Sequence, residues 1–155
     1  LEGDIEIMAA GVADAVEILA LQKLAYLSEA EIYNEYGIEP LTQTIEKARE
    51  DFAAQTVVKA VAGGRIIGSA RGVMSGGVCK IGKLLVHPDY QNRGIGAALM
   101  REIERIFAGA KRFELFTGWK SEKNIYLYEK LGYRKYDLKD VSGNLKLVYM
   151  EKIVE

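Results

Sequence analysis

The segment Gln91-Asn92-Arg93-Gly94-Ile95-Gly96 puts two glycines where a helix is expected to begin, just after the apolar run Leu84-Leu85-Val86-His87-Pro88. The first turn of a helix presents N–H groups that have no intrahelical partner. An anion placed there accepts those groups and meets the positive end of the helix dipole. The dipole contributes roughly 0.3–1 kcal/mol, whereas each hydrogen bond to a charged group contributes about 1.5–3 kcal/mol. Backbone donors therefore dominate, and they demand close approach. A side chain at Gly94 or Gly96 would block that approach or forbid the φ it needs, so the missing Cβ matters more than flexibility. A Gly-x-Gly turn by itself is also an ordinary way to start a helix. Two familiar phosphate motifs fail here. A dinucleotide fingerprint starting at Gly94 needs Gly or Ala where Leu99 stands, and the Gly-Lys-Ser/Thr of a P-loop is absent.

Other reactive residues are few. The single cysteine, Cys79, lies in a strand-like run and reads as a buried small hydrophobe rather than a nucleophile, and it excludes an internal disulfide. With one histidine, His87, and one cysteine, no zinc site is expected, and no metal is assigned. Lys and Arg total 21 against 22 Asp and Glu, a net charge of −1, so no basic field points to nucleic acid. No apolar run reaches membrane-spanning length, and the first residues do not read as a signal peptide. The expectation is a cytoplasmic protein with neither a nucleic-acid nor a membrane partner; the start at Leu1 rather than Met admits processing or trimming.

These residues need elements to hold them. Ile5–Met8 reads as a strand. Asp14 and Glu17 resemble a capping pair for a helix to about Ser28, with Val16, Leu19, Ala20 and Leu27 at helical spacing. Pro40 is expected to end any helical continuation. A second helix is predicted from about Thr42 to Phe52 on an Ile45, Ala48 and Phe52 stripe. Three β-rich runs follow, Thr56–Ala62, Ile66–Met74 and Val78–Val86, divided by glycine turns. A helix from about Gly94 to Ala108 buries Ile95, Leu99, Ile103 and Phe107. A strand at Arg112–Thr117, a short helix Asn124–Leu131 closed by Gly132, and a hairpin around Ser142-Gly143-Asn144 complete the chain. In Val78–Val86, strict alternation would turn Lys83 inward. An extra residue near Gly82-Lys83 restores the phase as a β-bulge, which can leave backbone groups open to an extended ligand. The other reading is a strand that ends early or is exposed on both faces.

The run Gln91–Gly96 resembles motif A of the GNAT acetyltransferase superfamily, Q/R-x-x-G-x-G/A. Downstream, Asn124-Ile125-Tyr126-Leu127-Tyr128-Glu129-Lys130-Leu131-Gly132-Tyr133 is similar to that family's N-x-x-x-x-Y-x-K-x-G-[FY] signature. Both motifs stand in the family's order, and the order of elements matches across nearly the whole chain. The resemblance implies an α/β (α+β type) fold over residues 1–155: one N-acetyltransferase domain with a central, mixed, mostly antiparallel twisted sheet of about seven strands and about four helices. It implies transfer of an acetyl group from acetyl-CoA to an amine. The N–H groups of Gln91, Asn92, Arg93, Gly94, Ile95, Gly96 and Ala97 would cradle the CoA diphosphate. The backbone of Leu84, Leu85 and Val86 would pair with the pantetheine arm, and Asn124 would reach the cofactor. Arg93 either contacts phosphate or faces solvent. Tyr128 matches the general acid, since a phenol of pKa about 10 stays protonated at neutral pH and can give its proton to the leaving thiolate. Apart from the motif, Tyr128 also reads as a core aromatic.

The attacking amine must be neutral, and only about one lysine-like amine in 2,500 is neutral at pH 7, so a base matters. Glu29, Glu31, Glu35 and Glu122 are available, and no motif selects among them. In this family the segment between the first two helices helps shape the acceptor pocket. Here it carries Tyr26, Tyr33 and Tyr36 among Glu29, Glu31 and Glu35, suiting a cationic or aromatic amine of a small molecule or peptide, with Trp119 on the opposite wall. Tyr26, Glu31, Tyr33 and Trp119 are the acceptor candidates; the competing reading is a loop whose tyrosines pack on the core. The alternative function is a non-catalytic acetyl-CoA-binding or sensing module. Dimers are common in the superfamily, which admits a homodimer, and the sequence leaves the oligomeric state open.

Overall fold

In a computed structural model, described over residues 4–154, the ends of the expected 1–155 span lie outside the described residues. Seven strands form one sheet: β1 (Ile5–Ala10), β2 (Thr56–Ala62), β3 (Arg65–Ser75), β4 (Val78–Val86), β5 (Arg112–Gly118), β6 (Arg134–Ser142) and β7 (Leu145–Ile153). Their order is β1-β2-β3-β4-β5-β7-β6, and every neighbouring pair is antiparallel except β4 and β5. The glycine turns between β2, β3 and β4 and the terminal hairpin stand where the sequence places them. Helices α1 (Ala15–Ala25), α2 (Leu27–Tyr33), α3 (Glu39–Thr42) and α4 (Ile45–Ala54) precede β2; α5 (Ile95–Ile106) and α6 (Glu122–Lys130) follow β4 and β5. Four of these, α1, α4, α5 and α6, have nine residues or more, which is the expected number of substantial helices.

The sheet is covered on both faces. Ile95, Leu99, Met100 and Ile103 of α5 pack with Ile67, Ala70, Ile81 and Phe113 in the larger core. On the other face, Ala15, Ile18 and Leu21 of α1 pack with Phe52, Val57 and Leu85.

The first helical region departs from expectation. The helix predicted through Ser28 ends at Ala25, and α2 begins at Leu27 after a turn at Tyr26. Val16 and Leu27 are exposed, while Ala15, Ile18, Leu19, Leu21 and Gln22 are buried, so the buried stripe lies on a different face. Asp14 does not cap α1. One oxygen accepts the Gly11 N–H at 3.0 Å and the other binds Lys59 at 3.0 Å. Glu17 reaches across to accept the Ile66 N–H at 2.8 Å. Pro40 ends no helix; it sits in the first turn of α3, where its missing N–H costs nothing.

Candidate active site

Strands β4 and β5 pair only over Val78–Lys80 with Arg112–Glu114 and then part. The cause is visible in β4. Ser69 faces Leu85 and Arg71 faces Gly82, so Lys83 and Leu84 together oppose Ala70. Lys83 adopts φ +51°, the left-handed conformation of a bulge. Below the bulge β4 pairs with both neighbours; above it, β4 leaves β5. The parted strands wall a cleft of about 1060 Å³. Leu84 and Val86 line it, whereas the Leu85 side chain is buried beneath α1. This is the bulge predicted from the phase of the strand.

The cleft runs onto the start of α5. Gly94 is the residue before the helix and holds φ +80°, a conformation that a Cβ disfavours. A Cβ on Gly96 would stand 3.2 Å from Leu127 and 3.8 Å from Leu84 and Val86, filling the space above the first turn. The first intrahelical bond here is Ala98 N–H to Gly94 O at 3.1 Å, so the preceding amides are left for another acceptor. Gln91, Asn92, Gly94, Ile95, Gly96 and Ala97 all line the cleft. The Arg93 guanidinium stacks 5.1 Å above the Tyr90 ring, outside that lining.

Helix α6 brings the second motif to the same opening. Tyr128 lines the cleft but is only 6% exposed, its ring meeting Tyr133 edge-on at 6.1 Å. Burial raises its pKa, and the nearby Tyr26 and Glu29 add to the effect, so the phenol holds its proton throughout the neutral range. The Asn124 Nδ2 donates to Thr117 Oγ1 at 3.3 Å and to Glu29 Oε1 at 3.4 Å.

The far end of the cleft is formed by α1, α2, α3 and the β6–β7 hairpin. Tyr26 and Tyr33 lie in its lining; Glu31 is exposed and outside it. Trp119 also lies outside, donating its indole N–H to Asn144 O at 3.0 Å beside a separate, shallow depression. Of the four candidate bases, Glu29 and Glu35 line the cleft, while Glu31 and Glu122 do not; Glu39 lines it as well. The Glu35 carboxylate sits against Gly143 in the hairpin turn. Glu29 is half-buried and accepts a hydrogen bond from Ser121 Oγ. Burial raises the pKa of Glu29, partly offset by that bond.

Beneath this end lies a polar cluster that sequence reading passed over. Arg71 is 1% exposed; its Nη2 donates to Gln22 Oε1 at 3.0 Å, its Nη1 stands 3.5 Å from Asp51, and its guanidinium covers Phe52 at 4.8 Å. Gln43 links Gln22 and Asp51 at 2.9 and 2.7 Å, and Lys83 pairs with Glu39. An arginine in the middle of the apolar run Ile66–Met74 was the available signal, because an inward charge needs partners from elsewhere in the fold.

A sheet splayed beside a glycine-started helix, with a tyrosine at the gap, is the arrangement of an acetyltransferase fold. The Acetyltransferase (GNAT) family matches residues 18–133, and the chain belongs to it. It is 31% identical over 139 residues to UPF0157 protein YqkA of Bacillus subtilis, covering 87% of this chain and 39% of that protein. Acetyltransferase SG1711 of Sodalis glossinidius is 36% identical over 76 residues, 48% of this chain and 54% of the relative. The chain thus spans about two fifths to about half the length of these curated relatives. The PaiA N-acetyltransferase of Thermoplasma acidophilum, solved in complex with coenzyme A, superposes with a TM-score of 0.81 at 22% identity, over 97% of this chain and 99% of that one.

Proposed function

We propose that the protein transfers an acetyl group from acetyl-CoA to a primary amine of a small molecule or peptide. The observation that carries this reading is the meeting of three features in one cleft: the parted β4–β5 strands, the glycine-started α5 and the Tyr128 hydroxyl. The residues present fit coenzyme A. Gly94 and Gly96 leave the α5 amides open to a diphosphate. The unpaired edge of β4 from Ile81 to Val86 suits an extended arm carrying amides.

Acetyl-CoA supplies the activated thioester. The chain's part is to bind, align and move protons. Amides on the β4 edge polarise the acyl carbonyl and stabilise the charge that develops on its oxygen. Tyr128, kept protonated by burial, gives its proton to the departing sulfur. No covalent enzyme intermediate is required, which suits Cys79, buried in the core with its thiol pKa pushed up to about 11.

The test is a titration with acetyl-CoA followed by an amine panel read by thiol release. Binding together with release for at least one amine is expected. Binding with no release across cationic, aromatic and peptide amines would make the protein a sensing module; no binding would remove the reading.

A further inference from the structure

Resting on that reading, we infer that Glu29 is the general base that removes the proton from the acceptor's ammonium group, and that Ser121, Tyr33 and Gly118 hold it in place. Glu29 on α2 and Tyr128 on α6 line one cleft from opposite elements. Ser121, 2% exposed, stands just before α6, where a serine ordinarily caps the helix. It makes no such cap; its hydroxyl donates to Glu29 instead. That spends the serine's one proton, so the Tyr33 hydroxyl must donate to Ser121 Oγ, at 2.9 Å. The Tyr33 oxygen in turn accepts the Lys120 backbone N–H at 2.7 Å. The result is a one-way chain from a backbone amide through two hydroxyls to the carboxylate, each bond polarising the next.

The end of β5 is shaped around this chain. A Cβ on Gly118 would overlap the Tyr33 hydroxyl and approach Ser121 Oγ to 2.8 Å. One Glu29 oxygen accepts from Ser121 and the other accepts a long hydrogen bond from Asn124 Nδ2 at 3.4 Å, so each keeps a second lone pair for an incoming ammonium. Burial makes the carboxylate a stronger base than a surface glutamate.

The proton balance is complete. The ammonium gives one proton to Glu29, which passes it to solvent. The freed lone pair forms the C–N bond, and the carbonyl π pair moves to oxygen. Collapse restores the carbonyl and breaks the C–S bond, whose electrons stay on sulfur. The thiolate takes the Tyr128 proton, and the second nitrogen proton replaces it. The products are the amide, coenzyme A thiol and one released proton.

The titratable groups facing Glu29 are Tyr33 on its own helix, Tyr26 ahead of it and Tyr128 on α6; the carboxylates Glu35, Glu39 and Asp51 and the cations Arg71, Lys80, Lys83, Lys123 and Lys130 share the cleft. All three phenols are shifted upward, so an acid limb below neutrality belongs to a carboxylate, and its loss in Glu29→Gln is what assigns it to Glu29 rather than to Glu35, Glu39 or Asp51.

The test combines pH profiles with a direct titration. In the wild-type protein, kcat/KM rises through the Glu29 pKa and then levels. Glu29→Gln is expected to lose about 100-fold at neutral pH and to climb in proportion to hydroxide toward the amine's own pKa, with acetyl-CoA affinity unchanged. Glu29→Asp, which retains a carboxylate, keeps the levelled profile at reduced rate. Ser121→Ala removes the bond that lowers the Glu29 pKa, so the acid limb moves to higher pH. The Glu29 carboxyl 13C resonance, assigned by its absence in Glu29→Gln, moves with it. An unchanged Glu29→Gln profile, a loss independent of pH, or a matching loss of acetyl-CoA affinity would overturn the inference alone. Wild-type protein that binds acetyl-CoA but releases no thiol with any amine would refute the transferase reading and this inference with it.

Discussion

The two ends of the cleft are built from different material. At the α5 end the working groups are backbone: amides freed by a helix start, a strand edge freed by a bulge, and two glycines that add nothing in the way. At the α2 end they are side chains: Glu29, Ser121, Tyr33, Arg71 and Asp51, each held by a partner far away in the sequence. Backbone recognition suits a ligand that does not vary, because main-chain donors are insensitive to substitution. Side-chain recognition suits an acceptor that can differ between relatives, because one substitution alters charge or shape without disturbing the fold. The division explains why one end was found by motif and the other was not.

The contrast can be broken most severely at the backbone end. Gly94→Val combined with Gly96→Leu should weaken acetyl-CoA binding by more than about 100-fold, the equivalent of two lost hydrogen bonds to a charged group, in protein whose circular dichroism is unchanged. Calorimetry reads this directly, and retained affinity would show that the α5 amides hold nothing. At the meeting of the two ends, Tyr128→Phe should reduce kcat by about 100-fold while acetyl-CoA affinity stays within about twofold, as equilibrium titration would show. Unaltered turnover would leave Tyr128 as a core aromatic.

Gly118→Ala sharpens the comparison from the side-chain end. Forcing Tyr33 and Ser121 apart should lower kcat about tenfold through misplacement of Glu29 and leave the acetyl-CoA dissociation constant alone. A drop in both would mean that the two ends are mechanically coupled. The smallest effects belong to Trp119→Ala and Glu31→Gln, which lie outside the cleft and should keep acceptor KM within about twofold of wild type. A larger change in steady-state KM would extend the acceptor surface beyond the cleft.

Much of this was legible in local pattern. The alternation that would have turned Lys83 inward offered the bulge as one of two readings, and the bulge the structure shows lies where β4 parts from β5. The glycine turns marked the meander because a reversal of so few residues needs positive φ. The break at Tyr26 was not legible: no proline or glycine marks it, and the predicted stripe kept helical spacing although Val16, Ala20 and Leu27 point to solvent and only Leu19 is buried. Asp14 and Glu17 looked like a capping pair, but their partners, Lys59 and Ile66, arrive from strands that only the fold brings near.

The order of the strands and of the four longer helices along the chain, the glycine-started α5 and the tyrosine of the second motif follow from the sequence alone, because each depends on residues within a few positions of one another. The choice of Glu29 among four glutamates, its connection to Ser121 at a separation of 92 residues, and the burial of Arg71 were decided only in three dimensions. A side chain's basicity and partners depend on what surrounds it after folding, and those surroundings come from elements that spacing along the chain does not relate.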